Sequence, residues 1–67
     1  MQIFCDKLKE LRKEKHLTTK ELAQILQVRD STISRWENGK MSPSIDMLYK
    51  IAVFFGVTSD YLIGLED

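Results

Sequence analysis

The sequence predicts an all-α fold, a compact bundle of five helices, and three observations support this prediction. Apolar residues recur at spacings of three and four, as they do along one face of a helix. Glycine and proline fall only at the boundaries between helical segments, and no segment reads as a convincing strand. With 67 residues, of which 43% are hydrophobic, the chain suits one globular domain over residues 1–67.

An apolar stripe predicts the first helix, from about Phe4 to Lys15. Phe4, Leu8 and Leu11 follow one another at spacings of four and three, which places their side chains on one helical face. We therefore expect this face to pack against the rest of the domain.

Residues typical of helix ends predict the second and third helices. Thr18 and Glu21 form a capping box, in which each side chain accepts a hydrogen bond from the other residue's backbone amide. The second helix is expected to begin there and to run to about Leu26. The third covers roughly Asp30–Asn38 and ends at Gly39, because glycine readily adopts the left-handed conformation common at helix ends.

The last two helices are also marked by their ends. Residues 42–44 are expected to begin the fourth helix, with Pro43 near its first turn, where the missing amide has no helical partner to lose. Gly56 ends it. Thr58 is expected to cap a short fifth helix over roughly Ser59–Ile63. The predicted buried face of the fourth helix consists of Leu48, Ile51, Ala52 and Phe55.

Residues 19–38 fit two short helices that cross at a steep angle, which is the geometry of a helix-turn-helix. The residues expected to lie between the two helices are apolar: Leu22, Ala23, Leu26, Val28, Ile33 and Trp36. The small side chain of Ala23 allows the helices to approach closely. The second helix of the pair then presents its outer face to a partner, and a DNA major groove is wide enough to admit a helix.

The outer face of the third helix carries polar side chains, because Ile33 and Trp36 are expected to point inward. These outer residues are Asp30, Ser31, Ser34 and Arg35. Arginine can make a bidentate contact to guanine and serine can contact several bases, so we expect this face to read base edges. Asp30 has two interpretations. It either caps the helix N-terminus or accepts a hydrogen bond from a cytosine amino group.

Polar and basic residues surround this outer face and are typical of contacts to DNA phosphates. They are Thr19, Lys20, Arg29, Asn38 and Lys40. Arg12 and Glu37 flank the core, and we expect them to form a structural ion pair between the first and third helices. Ten basic and ten acidic residues cancel and the pI is about 6.6, which counts against nonspecific, charge-driven DNA binding but not against specific binding.

The sequence gives no indication of an enzyme, a metal site or a cofactor. It contains no recognisable nucleophile–base pair or phosphate-binding loop. One cysteine, Cys5, and one histidine, His16, are too few for a metal site. A single cysteine also fits a reducing cytoplasm, no apolar run approaches the ~18 residues of a membrane span, and there is no signal-peptide pattern. We therefore expect a cytoplasmic protein.

Taken together, these features resemble the Cro/cI-type, or lambda-repressor-like, helix-turn-helix family of phage and bacterial regulators over nearly the whole chain. The most specific matches are Leu11-Arg12, Leu17-Thr18, Glu21-Leu22-Ala23, the run Ile33–Gly39, Pro43-Ser44 and Ile51-Ala52. The resemblance implies a compact five-helix fold that binds operator DNA, usually as a two-fold dimer. It places Ser31, Ser34 and Arg35 at base-reading positions, and Asp30 where family members often carry glutamine. It also implies phosphate contacts at Thr19, Arg29 and Asn38, and the family's internal ion pair at Arg12 and Glu37.

The chain departs from the family pattern at three positions. Gln27 stands at the glycine of the turn, which costs on the order of 1–2 kcal/mol in a left-handed conformation. His16 stands where the first helix usually ends in glycine or asparagine. Arg29 occupies the position where serine or threonine normally caps the recognition helix, so we expect the cap to shift to Asp30.

The function expected from these features is sequence-specific binding of double-stranded operator DNA by a bacterial or phage-encoded transcriptional regulator. Family grounds favour a repressor over an activator, and a protein antagonist is one expected means of control. A homodimer would bind half-sites about 34–36 Å apart. The apolar residues expected to form its contacts are Tyr61, Leu62, Ile63 and Leu65. The alternative is a protein-interaction module of the same fold, an antitoxin or anti-repressor, which the zero net charge and Asp30 favour.

Overall fold

The structure is a computed structural model that describes residues 2–66, and this part of the chain contains α-helices and no strand. The helices are α1 (Gln2–Glu14), α2 (Thr19–Leu26), α3 (Asp30–Glu37), α4 (Ile45–Phe55) and α5 (Ser59–Leu62). The predicted all-α fold is confirmed, and the helix bounds differ from the predicted ones by at most three residues. For example, α1 begins at Gln2 and α3 ends at Glu37, with Asn38 as its C-cap.

Hydroxyl side chains cap the N-termini of α2, α4 and α5. The caps are Thr18, Ser44 and Thr58, and each hydroxyl accepts a hydrogen bond from the third amide of its helix at 3.0, 3.2 and 3.0 Å, respectively. At α2 the capping box is complete, because the Thr18 amide also donates to Glu21 Oε1 at 2.8 Å. Pro43 precedes the Ser44 cap, so it lies before the first turn of α4 and not within it.

A single hydrophobic core joins all five helices. Its buried members are Phe4, Leu8, Leu11, Leu22, Ala23, Leu26, Ile33, Trp36, Ile51, Ala52 and Leu62. Phe4 of α1 meets Trp36 of α3 edge to face, with ring centroids 6.5 Å apart and an interplanar angle of 79°. Aromatic pairs favour this arrangement because the positive ring edge meets the negative ring face. The contact therefore fixes α3 against α1.

Two non-glycine residues adopt the left-handed conformation, and both end helices. His16 has φ 57° and follows α1, whereas Gln27 has φ 60° and is the C-cap of α2. The Gln27 and Val28 amides donate to the Ala23 carbonyl, Val28 at 2.9 Å, which satisfies the last turn of α2. The turn of the helix-turn-helix therefore has glycine-like geometry without a glycine.

The predicted dimer surface at the C-terminus requires a correction. Leu62 is buried in the core and is not available for contacts with a partner. Tyr61 is half-buried, and the Lys7 ammonium group lies 4.1 Å from its ring centroid. Ile63 is also half-buried, so of these four residues only Leu65 is fully exposed. Leu62 is buried because α5 packs on α1 and α4.

The most exposed apolar stripe lies on α4 instead. Ile45, Tyr49 and Val53 are spaced by four residues, and 85%, 70% and 62% of their respective surfaces are exposed. Ile51 and Ala52 lie in the core, as the sequence predicts, while Leu48 and Phe55 are half-buried. Helix α4 is therefore apolar both toward the core and toward the surface.

Candidate nucleic-acid interface

Helix α3 has a buried face and an exposed face, and the exposed face carries the candidate site. Ile33 is fully buried and Trp36 is 2% exposed. Each residue advances about 100° around a helix, so residues on the far side from this pair must face solvent. Asp30, Ser31, Ser34 and Arg35 are all exposed. These four residues are called the α3 outer face below.

The α3 outer face is accessible because α3 packs mainly through its inner side, against α2 and α1. Ala23 of α2 is buried, and its small side chain permits the close crossing that the sequence predicts. Val28 is half-buried and packs on the core at the corner between the helices. An eight-residue helix is about 12 Å long. One side of this short helix is therefore accessible to a partner.

Arg12 and Glu37 form an ion pair that fastens the C-terminal end of α3 to α1. Arg12 Nε and Nη2 donate to the two Glu37 carboxylate oxygens at 2.6 and 3.0 Å. Arg12 Nη1 also donates to the Leu17 carbonyl oxygen at 2.8 Å, so the guanidinium joins α1, the following loop and α3. The hydrogen bonds that Arg12 donates to Glu37 raise the pKa of Arg12 above its ordinary value despite partial desolvation.

This ion pair also keeps the negative charge of Glu37 away from the α3 outer face. Only 6% of the Glu37 side chain and 14% of the Arg12 side chain are exposed. Of the two acidic residues of α3, Glu37 is thus neutralised inside the domain, and Asp30 alone is exposed. A duplex that approaches the α3 outer face therefore meets one carboxylate from this helix.

The N-terminus of α3 differs from the prediction. Arg29 is the N-cap, with extended φ and ψ of −78° and 150°, and its side chain forms no capping hydrogen bond. Asp30 is the first residue of the helix, so the prediction that it is the cap is wrong. Its carboxylate still lies in the first turn, where the helix dipole favours negative charge by about 0.3–1 kcal/mol. The first amides of α3 have no side-chain acceptor from the Arg29 cap.

The predicted phosphate-contacting residues lie at or near the ends of α2 and α3. Thr19 and Lys20 are in the first turn of α2, Arg29 precedes α3, and Asn38 and Lys40 follow it. Lys20, Arg29, Asn38 and Lys40 are exposed, whereas Thr19 is half-buried. Arg29 and Asn38 thus flank the two ends of α3.

One contact on this surface was not predicted from the sequence. Asn38 Nδ2 donates a hydrogen bond to Ser34 Oγ at 3.3 Å, which joins a predicted phosphate contact to a predicted base contact. The backbone N–H of Asn38 also donates to the backbone carbonyl oxygen of Ser34 at 3.0 Å, which holds the two residues one helical turn apart. The spacing of four residues was the available signal, since such residues are neighbours on a helix surface.

Within residues 2–66, no three side chains of the types that bind metals come together. None of the helices described is long and apolar enough to cross a bilayer.

Comparison with known proteins agrees with this geometry. The model of the helix-turn-helix family HTH_3 matches residues 8–62. A solved HTH_3 family transcriptional regulator from Vibrio cholerae superimposes with a TM-score of 0.80 and 28% identity, over 97% of this chain and 36% of the other.

Several curated relatives are named as regulators. The HTH-type transcriptional activator BcrR of Enterococcus faecalis is 44% identical over 96% of this chain, which spans 31% of that protein. An uncharacterised HTH-type regulator of Methanocaldococcus jannaschii is 42% identical over 92% of this chain and 94% of its own length. The cryptic phage CTXphi transcriptional repressor RstR of Vibrio cholerae is 34% identical, over 92% and 56% respectively.

The family match includes α2, α3, α4 and α5 and the second half of α1. It extends from Leu8 to Leu62, both of which are core residues. The ion pair between Arg12 and Glu37 and the buried Trp36 also lie inside it. On the fold, the interface geometry and the family match together, the chain belongs to the Cro/cI-type helix-turn-helix family, HTH_3.

Proposed function

We propose that this chain is a sequence-specific double-stranded DNA-binding domain that regulates transcription, with the α3 outer face in the major groove. One observation carries the proposal: buried Ile33 and Trp36 anchor α3 from behind, so that Ser34 and Arg35 project outward together. Arg35 supplies a bidentate donor for guanine O6 and N7, and the serines supply short, adaptable hydroxyls.

Phosphate contacts at the two ends of α3 would set its register along the groove. Arg29 supplies positive charge near the start of α3, and Lys20 does so near the start of α2. Beyond the end of α3, Lys40 supplies positive charge and Asn38 supplies a hydrogen-bond donor. Such contacts carry no sequence information, but they orient the helix that does. They would also offset the overall neutrality of the chain, because Lys20, Arg29 and Lys40 are basic and exposed.

We propose repression as the sign of regulation. A domain bound at an operator that overlaps a promoter excludes polymerase without any further contact, whereas activation requires an additional surface. The similarity to the phage repressor of Vibrio cholerae supports this choice. The relative named as an activator is more similar in sequence, at 44% against 34% identity, but this chain spans 31% of the activator and 56% of the repressor, so the repressor is compared over more of its length.

A homodimer is proposed to pair through α4. Ile45, Tyr49 and Val53 form its exposed apolar stripe, and the groove beside them is lined by uncharged residues. A two-fold interface places the same patch of both subunits in contact, so an uncharged patch pairs with itself without repulsion. The chemistry of this stripe therefore favours contact with a second copy of the chain.

Binding to DNA can be tested with duplexes from the region that flanks the protein's own gene. We expect tight, salt-dependent binding that Arg35→Ala weakens by about 5–150-fold, equivalent to the 1–3 kcal/mol of one bidentate base contact. Lys13→Ala is the matched control, because Lys13 is an exposed basic residue of α1 outside the interface. Binding unchanged by Arg35→Ala would show that α3 does not read DNA. A stoichiometric protein partner without any DNA binding would instead favour the interaction module.

The dimer can be tested by sedimentation at micromolar concentration with and without operator. Val53→Lys should convert dimers to monomers and lower operator affinity, because it places two like charges across the two-fold axis. Leu65→Lys, at an equally exposed apolar position, should leave the dimer intact. If Leu65→Lys dissociates the dimer and Val53→Lys does not, the interface lies at the C-terminus.

A further inference from the structure

Asn38 and Ser34 form a hydrogen-bonded pair on the α3 outer face, and the direction of that bond has a consequence for base recognition. Asn38 Nδ2 donates to Ser34 Oγ at 3.3 Å. Both residues are exposed, so the contact contributes little to folding. A hydroxyl has one proton and two lone pairs, and an amide nitrogen can only donate. One lone pair of Ser34 is therefore occupied by Asn38, and its proton remains free to be donated.

We propose that Asn38 is a positioning residue that makes Ser34 a hydrogen-bond donor toward the major groove. This inference rests on the proposed function. A hydroxyl that accepts one hydrogen bond becomes a better donor in the next one, because the bonds polarise each other. Ser34 then selects a base edge that offers an acceptor: guanine O6 or N7, adenine N7 or thymine O4. It disfavours an edge that offers only the amino group of cytosine.

The hydrogen-bonding groups of the α3 outer face change from acceptor to donor along the helix. Arg35 lies next to Ser34 and can only donate, whereas the carboxylate of Asp30 in the first turn can only accept. The C-terminal half of this face therefore matches acceptor-rich edges such as guanine, and its N-terminal end matches an amino group. The second N–H of Asn38 is still free to donate to a phosphate, which would couple the position of the DNA backbone to the orientation of Ser34.

The experiment measures base preference, and not affinity alone. Duplexes are selected by the unaltered protein from a randomised pool, and the selected site is then substituted one base pair at a time. We expect one base pair at which acceptor edges are preferred by about 2–10-fold, the range for one neutral hydrogen bond. Ser34→Ala should abolish the preference at that base pair only.

Asn38→Ala should reduce the same preference, and Asn38→Gln, which keeps an amide donor, should retain part of it. In the Ser34→Ala background, Asn38→Ala should cause no further change in preference at that base pair. Asn38→Asp reverses the direction of the bond, since a carboxylate can only accept, and should shift the preference toward edges that donate. Melting curves of each variant check that the fold is intact, as expected for two exposed positions.

The outcomes separate this inference from the proposed function. If Asn38→Ala weakens binding by the same factor on every duplex, Asn38 contacts phosphate only and the inference is overturned. If Arg35→Ala leaves all binding unchanged, the proposed function itself fails. Loss of binding with Arg35→Ala, together with a changed preference with Asn38→Ala, supports both.

Discussion

The ion pair between Arg12 and Glu37 provides the most direct test of how α3 is held in place. Glu37→Gln keeps the size of the side chain but removes its charge and replaces one acceptor with an amide nitrogen. Arg12 then loses one of its two carboxylate hydrogen bonds, at 2.6 or 3.0 Å, and keeps the one to the Leu17 carbonyl oxygen. The guanidinium is left as a mostly buried charge without a counterion.

The expected cost follows from the burial of the pair. Removing one partner from a fully buried ion pair costs about 3–5 kcal/mol, because the remaining charge is uncompensated. Here 14% of the Arg12 side chain is exposed, so water reaches part of the guanidinium and the loss should be about 2–3 kcal/mol. For a domain of this size that corresponds to a fall in Tm of roughly 8–24 °C.

Urea and thermal unfolding, followed by circular dichroism, measure this loss. Fluorescence of Trp36, the only tryptophan, reports on the same helix. Glu10→Gln is the matched control, because Glu10 is an exposed carboxylate of α1, and it should change stability by less than about 0.5 kcal/mol. A similarly small effect of Glu37→Gln would refute the reasoning.

The double replacement and the pH dependence add two checks. Arg12→Met combined with Glu37→Leu should cost less than the sum of the single replacements, because no buried charge is left unpaired. The pKa of Arg12 is higher in the folded state than its ordinary value. Its charge therefore stabilises the fold at every pH below that ordinary value, and this contribution is lost only as the pH rises through the folded pKa in strong alkali.

Two further predictions concern helix ends. Gln27→Gly should raise the unfolding free energy by about 1 kcal/mol, because φ at this position is 60° and glycine adopts a left-handed conformation without strain. The control Gln24→Gly, inside α2, should lower the unfolding free energy by about as much. Both changes are measured by urea unfolding. A destabilised Gln27→Gly variant would contradict this explanation. Thr18→Ala should cost about 1 kcal/mol by removing the capping box, whereas Glu21→Gln, which can keep both hydrogen bonds, should cost less. Equal losses in the melting curves would show that the charge of Glu21 matters as much as the capping hydrogen bonds.

Local sequence determined most of the helices and the candidate site. Helical spacing places Phe4, Leu8 and Leu11 on one stripe, and the same periodicity puts Ser31 and Arg35 on the far side of α3 from the buried pair Ile33 and Trp36. The capping box at Thr18 is likewise encoded within four residues. These features could be predicted because each depends only on residues within one or two helical turns.

Tertiary packing decided what the local pattern left open. The C-terminal apolar cluster contained Leu62 and Leu65, but only the packing of α5 on α1 and α4 determined that Leu62 is buried and Leu65 exposed. A four-residue helix is too short for its periodicity to identify an inner face. On α4, Val53 belongs to a second apolar stripe, and only the position of the core shows that this stripe is the exposed one. Burial depends on residues that are distant along the chain, and a pattern of near neighbours carries no information about them.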